Sequence, residues 1–123
     1  MAGRNEPSRE VCAIVDERAG QCCERCGKHA AGGSRHHRRS KRVRDEHTHS
    51  PSNLVLLCGT GSTDDCHLWV HTHRREAELA GFWLSQFVTD PSVHPVTVAT
   101  QVEGGTMVVR LDDAGHYIPV GDL

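Results

Sequence analysis

Asn53-Leu-Val-Leu-Leu-Cys58-Gly-Thr-Gly-Ser-Thr-Asp-Asp-Cys66-His67-Leu-Trp-Val-His71 is the stretch whose reading decides the fold. Its apolar run over 54–57 is too short for an amphipathic helix and reads as a short buried segment that delivers Cys58 at its end. A Gly-rich loop over 59–65 follows, with Thr63 or Asp64 expected to cap a helix that begins near Cys66. On that helix His67 and His71 stand at i and i+4, so both rings project from one face.

Upstream, Cys23-x2-Cys26 followed by Gly27 has the spacing at which a tight turn points two thiolates at one ion. Cys22 could replace Cys23, but two intervening residues favour Cys23. Cys12 has no spaced partner and reads as a small core hydrophobe. Between this turn and Asn53 stands the pair His36-His37. Cys23, Cys26, Cys58 and Cys66 can close one metal site, and the histidines interleaved with them can build a second, open one.

The chain has 123 residues, 37% of them apolar, with two Phe, two Trp and one Tyr. That is one domain with a thin core, which calls for a staple, either disulfide or metal. No apolar run approaches the roughly 20 residues that span a bilayer, and the N-terminus carries no apolar export segment. A reducing, cytoplasmic setting is therefore expected, and there the cysteine pattern reads as a metal site, with zinc the default.

A net charge of −2 announces no polyanionic partner, but its distribution does. Arg35, Arg38, Arg39, Lys41, Arg42 and Arg44 flank the histidine pair. Cations beside a candidate metal centre would hold phosphates against it, with Arg35, Arg38, Arg39, Lys41 and Arg42 the expected contacts. His47 and His49, further along, read as solvent-exposed loop residues.

Along the chain, Val11, Ile14, Val15 and Arg18 fall at helical spacing and predict a helix from about Pro7 to Ala19, ended by Gly20. Residues 28–53 read as a long loop or weak hairpin. The helix from Cys66 is expected to run through Leu79 to Gly81. Short strands are then expected at 82–84, 96–98, 107–111 and 117–120, with turns at Asp90-Pro91, Gly104-Gly105 and 112–115. This tail, with His94 and His116 read as surface residues, shows no chemistry.

Four segments, Cys22-Cys-Glu-Arg-Cys26-Gly27, His36-His-Arg-Arg39, Ser50-Pro-Ser-Asn53-Leu-Val-Leu-Leu-Cys58-Gly59 and Cys66-His-Leu-Trp-Val-His71, form an ordered set. Together they resemble the HNH endonucleases of the ββα-metal fold, in particular the small HNH proteins of bacteriophages and prophages. The resemblance covers about residues 8–85 and leaves 86–123 as a C-terminal extension. It implies an α+β fold: a ββα-metal core stapled by a four-cysteine zinc site, with an N-terminal helix and a C-terminal β-hairpin. One departure is that relatives often space the second cysteine pair C-x2-C, whereas seven residues separate Cys58 from Cys66.

The resemblance further implies hydrolysis of DNA phosphodiester bonds with one divalent metal. His37 matches the general base, His36, His67 and His71 match metal-ligand positions, and Asn53 matches the residue whose amide holds the loop carrying His37. All-His ligation suits zinc, nickel, cobalt or manganese better than magnesium, although magnesium and manganese are common in the family. The implied setting is the cytoplasm of a bacterial host, with DNA and a phage terminase as partners. The alternative is a non-catalytic zinc-binding module for nucleic acid or a packaging partner. A zinc peptidase is disfavoured because His67-Leu-Trp-Val-His71 lacks the Glu of H-E-x-x-H.

Overall fold

Ser8 starts the first helix, α1 (Arg9–Arg18), by accepting the Val11 amide on its hydroxyl at 3.2 Å, which satisfies a donor that a helix start leaves open. That cap sets the start two residues after Pro7. The structure, a computed structural model, describes residues 6–60, 65–100 and 104–120. After the Ala19 cap, Gly20 and Gln21 both take positive φ (62°), and this left-handed pair reverses the chain toward the Cys23–Cys26 turn. Val15 is fully buried, and Arg18 from the same stripe is buried as well.

Strand β1 (Ser34–His37) is polar, yet it pairs antiparallel with β2 (Leu54–Leu57), Ser34 opposite Leu57 and His37 opposite Leu54. All four residues of β2 are buried, so tertiary pairing rather than intrinsic propensity makes β1 a strand. Helix α2 (Cys66–Thr72) follows, then α3 (Arg74–Leu79). A strand–strand–helix unit thus carries both His pairs.

The single helix expected from Cys66 to Gly81 is instead broken at His73 (φ −120°, ψ 57°). Trp83 donates its indole N–H to the Val70 carbonyl at 2.5 Å, the carbonyl that Arg74 would use in a continuous helix. Thr72 also bonds back to the Leu68 carbonyl, which bends helices. Residues 82–84 are likewise no strand: Phe82 is core, and the Leu84 amide donates to the Arg38 carbonyl at 2.7 Å. The α2 cap is Asp65, which accepts the Leu68 amide at 2.7 Å; Thr63 and Asp64 lie outside the described residues.

The tail forms three antiparallel strands rather than a lone hairpin: β3 (Val96–Ala99), β4 (Thr106–Leu111) and β5 (Tyr117–Pro119), in that order. Val96, Val98, Val109 and Leu111 enter the same buried cluster as β2. Two buried arginines tie the layers together. Arg18 makes a bidentate pair with Glu24 (3.0 and 2.7 Å) and donates to the Pro51 and Leu54 carbonyls. Glu24 also accepts from the Leu56 amide and the Tyr117 hydroxyl, so every charge in this buried group is paired.

Arg38, fully buried, donates to five backbone carbonyls: Gly81, Ser52, Pro91, His94 and Pro95. It thereby pins the segment before β3 to the end of β1. Burial lowers its pKa to about 10, so it stays charged at neutral pH. Among the described residues no helix is long and apolar enough to cross a membrane. Arg38→Ala strands those carbonyls, and loss of at least about 3 kcal/mol of stability is expected, read as a shift of the urea midpoint.

Candidate functional site

The four cysteines come from three places: Cys23 and Cys26 from the turn after α1, Cys58 from the end of β2, and Cys66 from the first residue of α2. Their sulfurs all lie within 4.8 Å of one another, and Cys26 Sγ is 3.8 Å from Cys58 Sγ. Tetrahedral zinc with bonds of about 2.3 Å puts its sulfurs about 3.8 Å apart. The cluster can therefore hold a metal ion such as zinc. Cys22, whose thiol faces the Gly20 carbonyl, and Cys12 stand outside it.

Local contacts shape the cluster. Gly59 has φ +87°, and a Cβ there would fall 1.9 Å from Asp65 Oδ2, so the carboxylate that caps α2 sits where any other residue's side chain would be. Amides of Cys26 and Cys66 point at Cys23 Sγ and Cys58 Sγ, both at 3.5 Å. The Arg25 guanidinium donates to Cys66 Sγ at 3.3 Å while lying over the Trp69 ring. Within the cluster, the hydrogen bond from Cys66 pulls the Cys23 pKa down and the same bond pushes Cys66 up, which favours thiolate at the most buried ligand.

Beside it lies a cavity of about 310 Å3 lined by His36, His37, His67, His71 and Trp83. Hydrogen bonding decides two tautomers. His36 Nε2 is 2.8 Å from the Phe82 carbonyl, which only accepts, so Nε2 carries the proton and Nδ1 keeps its lone pair. Ser34 spends its single proton on the Gly59 carbonyl (2.7 Å), so His67 Nδ1, 2.8 Å away, must be the donor, and its Nε2 keeps the lone pair. An imidazole oriented by a bond from its other nitrogen is the usual arrangement of a metal-binding histidine. Trp83 stands edge-on to His36 and His71, at 4.6 and 5.3 Å between ring centres. Among the described residues, however, only the sulfurs are gathered at ligand spacing; His71 is 5.6 Å from His36 and 5.2 Å from His67 between ring centres.

Asn53 is fully buried and outside the cavity lining. Its amide accepts the Arg39 N–H at 2.8 Å and donates to the Arg39 and Thr48 carbonyls at 3.1 and 2.9 Å. It braces the chain after His37. A larger hollow, about 480 Å3 between α1 and the 114–117 turn, has His116 as its one imidazole, bound to Asp112, and Arg18, already held by Glu24. Four imidazoles gather on the smaller cavity.

The expected phosphate contacts divide. Arg38 and Arg39 are buried and committed, Arg38 to its five carbonyls and Arg39 to Val88 and Asp45, so neither can meet a phosphate. Arg35 and Lys41 line the cavity, Arg35 paired with Asp16 and Lys41 3.8 Å from Glu6. Arg42 is exposed and outside the lining. Arg74, outside the lining, lies over the Trp83 ring at 4.1 Å. His47 and His49, expected in solvent, are instead half-buried, and His49 Nδ1 is 3.0 Å from His37 Nε2. Bonds from Thr48 to Val43 and from Asn53 to Thr48 fold that loop back. The only signal for His49 was its place four residues before Asn53. His94, half-buried, and His116, exposed, lie outside the cavity lining.

Comparison with protein-family models, with curated proteins and with solved structures found no match.

Burial lowers the pKa of His36 to about 3; for His37 burial, then the neighbouring His49, lowers it to about 4. Unfolded, both rings would protonate near about 6.5. The unfolded chain thus binds more protons from about 6.5 down to about 4 for His37 and about 3 for His36, and stability falls as pH drops through that window and is level above it. Titration of the His36 and His37 rings by NMR is expected to give midpoints below pH 5, whereas values near 6.5 would contradict their burial. Metal analysis of the purified protein is expected to find about one zinc per chain, lost in Cys23→Ser and Cys58→Ser; a folded, metal-free wild type would contradict the cluster's role.

Proposed function

We propose that this chain is a metal-dependent endonuclease of the HNH class that hydrolyses DNA phosphodiester bonds. The observation that carries the reading is the strand–strand–helix unit that turns His36 and His37 of β1 and His67 and His71 of α2 onto one cavity. His36 through Nδ1 and His67 through Nε2 would hold a divalent ion, with His71 as a further ligand. Such an ion supplies Lewis-acid chemistry at the scissile phosphate and the leaving oxygen.

The remaining work falls to the chain's own groups. His37, neutral at physiological pH, takes a proton from water; the water oxygen bonds to phosphorus as the P–O3′ bond breaks, and the departing oxygen is protonated from solvent. Lys41 and Arg35 offer charge to the flanking phosphates at the cavity mouth, where the substrate displaces Glu6. Asn53 holds the loop after His37, and Trp83 walls the site.

DNA as the partner rests on these cations and on the resemblance; a phage packaging setting with terminase rests on the resemblance alone. A non-catalytic zinc-binding nucleic-acid module is the second reading. It is favoured by the fact that, among the described residues, only the cysteines stand at ligand spacing.

A plasmid assay with magnesium, manganese, nickel or zinc separates the two. Wild type is expected to nick supercoiled DNA, and His37→Ala to lose at least about 100-fold, the low end for a general base. Equal rates would remove His37 as the base, and binding without cleavage in any metal would favour the module.

A further inference from the structure

His37 and His49 come from opposite ends of the β1–β2 connection, and their rings meet with Nε2 and Nδ1 3.0 Å apart at a 68° interplanar angle. Two neutral imidazoles at that distance share one proton, and the two ways of sharing it have different chemistry. If His49 donates from Nδ1, the proton of His37 must sit on its own Nδ1, and no nitrogen of that ring can accept one from water. If His37 donates from Nε2, its Nδ1 keeps a lone pair and the ring can act as a base. Which nitrogen is free is set by the bond the other makes.

We infer that His49 is the positioning residue for His37: its Nδ1 accepts the His37 Nε2 proton, fixing the tautomer and orientation in which Nδ1 of His37 is the basic nitrogen. The surrounding bonds serve this placement. Thr48, next to His49, is buried, with its hydroxyl donating to the Val43 carbonyl at 2.6 Å and its carbonyl accepting from Asn53. The Arg39 amide and carbonyl, two residues from His37, are held by the same Asn53 side chain. One amide therefore locks both sides of the histidine pair, and the loop's order serves the ring it presents.

The role parallels the carboxylate that orients histidine in a hydrolytic triad, with imidazole in its place. When His37 takes up a proton at Nδ1, the Nε2–H bond to His49 strengthens and the new charge is shared with an acceptor already in place. The direction of the bond rests on the nuclease reading, because the 3.0 Å contact accommodates either donor and only a base requires a free Nδ1 on His37; the contact itself does not.

Two variants and two readouts test this. Asn places its carbonyl oxygen near the position of histidine Nδ1, so His49→Asn keeps the acceptor, while His49→Leu has similar volume and none. Long-range 1H–15N NMR at pH 7 on the labelled protein is expected to show His37 as the Nε2–H tautomer in wild type and His49→Asn, and as a mixture in His49→Leu. In the nicking assay His49→Leu is expected to lose at least about tenfold in kcat, as for other groups that orient a reacting histidine, with KM unchanged and most of the rate restored in His49→Asn. A His37 ring protonated on Nδ1 in wild type, or Asn no better than Leu in both readouts, would overturn the inference. An inactive wild type with the expected tautomers would remove the nuclease and leave the His37–His49 bond standing.

Discussion

Four sulfur atoms within 4.8 Å of one another are the constraint on which the rest of the structure depends. They come from the turn after α1, the end of β2 and the first residue of α2, and the cluster exists only when those three are brought together. Cys66 is followed directly by His67, whose amide donates to the Cys58 carbonyl at 3.2 Å. Gathering the sulfurs therefore also sets the azimuth of α2, and with it the face that carries His67 and His71. Of the seven residues of this helix only Cys66 and Val70 are buried, so the staple matters to its placement.

Buried cations do corresponding work elsewhere in the fold. Arg18 joins α1, the cysteine turn and β2 through Glu24 and two carbonyls, and Arg38 joins β1 to the segment leading into β3. Apart from the Leu54 carbonyl of β2, the carbonyls these guanidiniums satisfy lie outside the strands and α-helices, which lets irregular chain lie in the interior at low cost. The cavity histidines come from β1 and α2. Their ring nitrogens are assigned by partners of fixed polarity: a carbonyl for His36, and a serine already donating elsewhere for His67.

What the sequence made legible was local or repeated at short range. The i, i+4 spacing of His67 and His71 put both on one face, and both line the cavity. The four-residue apolar run became β2, and Asn53 was readable as a brace because its amide acts on nearby backbone. What stayed hidden depended on groups far along the chain. Arg38 and Arg39 look like surface charge in a basic run, and only the Asp45 carboxylate with carbonyls at 52, 81, 88, 91, 94 and 95 makes burying them possible. The break at His73 is set by an indole 13 residues beyond Val70, and no helical periodicity reports that. His49 was hidden for the same reason: the loop that carries it looks unstructured until Thr48 and Asn53 fold it.

The central claim is that the sulfur cluster holds the histidine cavity in working geometry. Cys26 tests it most directly, because it is exposed, lies outside the cavity lining, and is ten residues from the nearest cavity histidine. Zinc content and plasmid nicking would be measured on the same preparation of Cys26→Ser. The account predicts that both fall together, with nicking reduced at least about tenfold. Loss of zinc with nicking at the wild-type rate would contradict it.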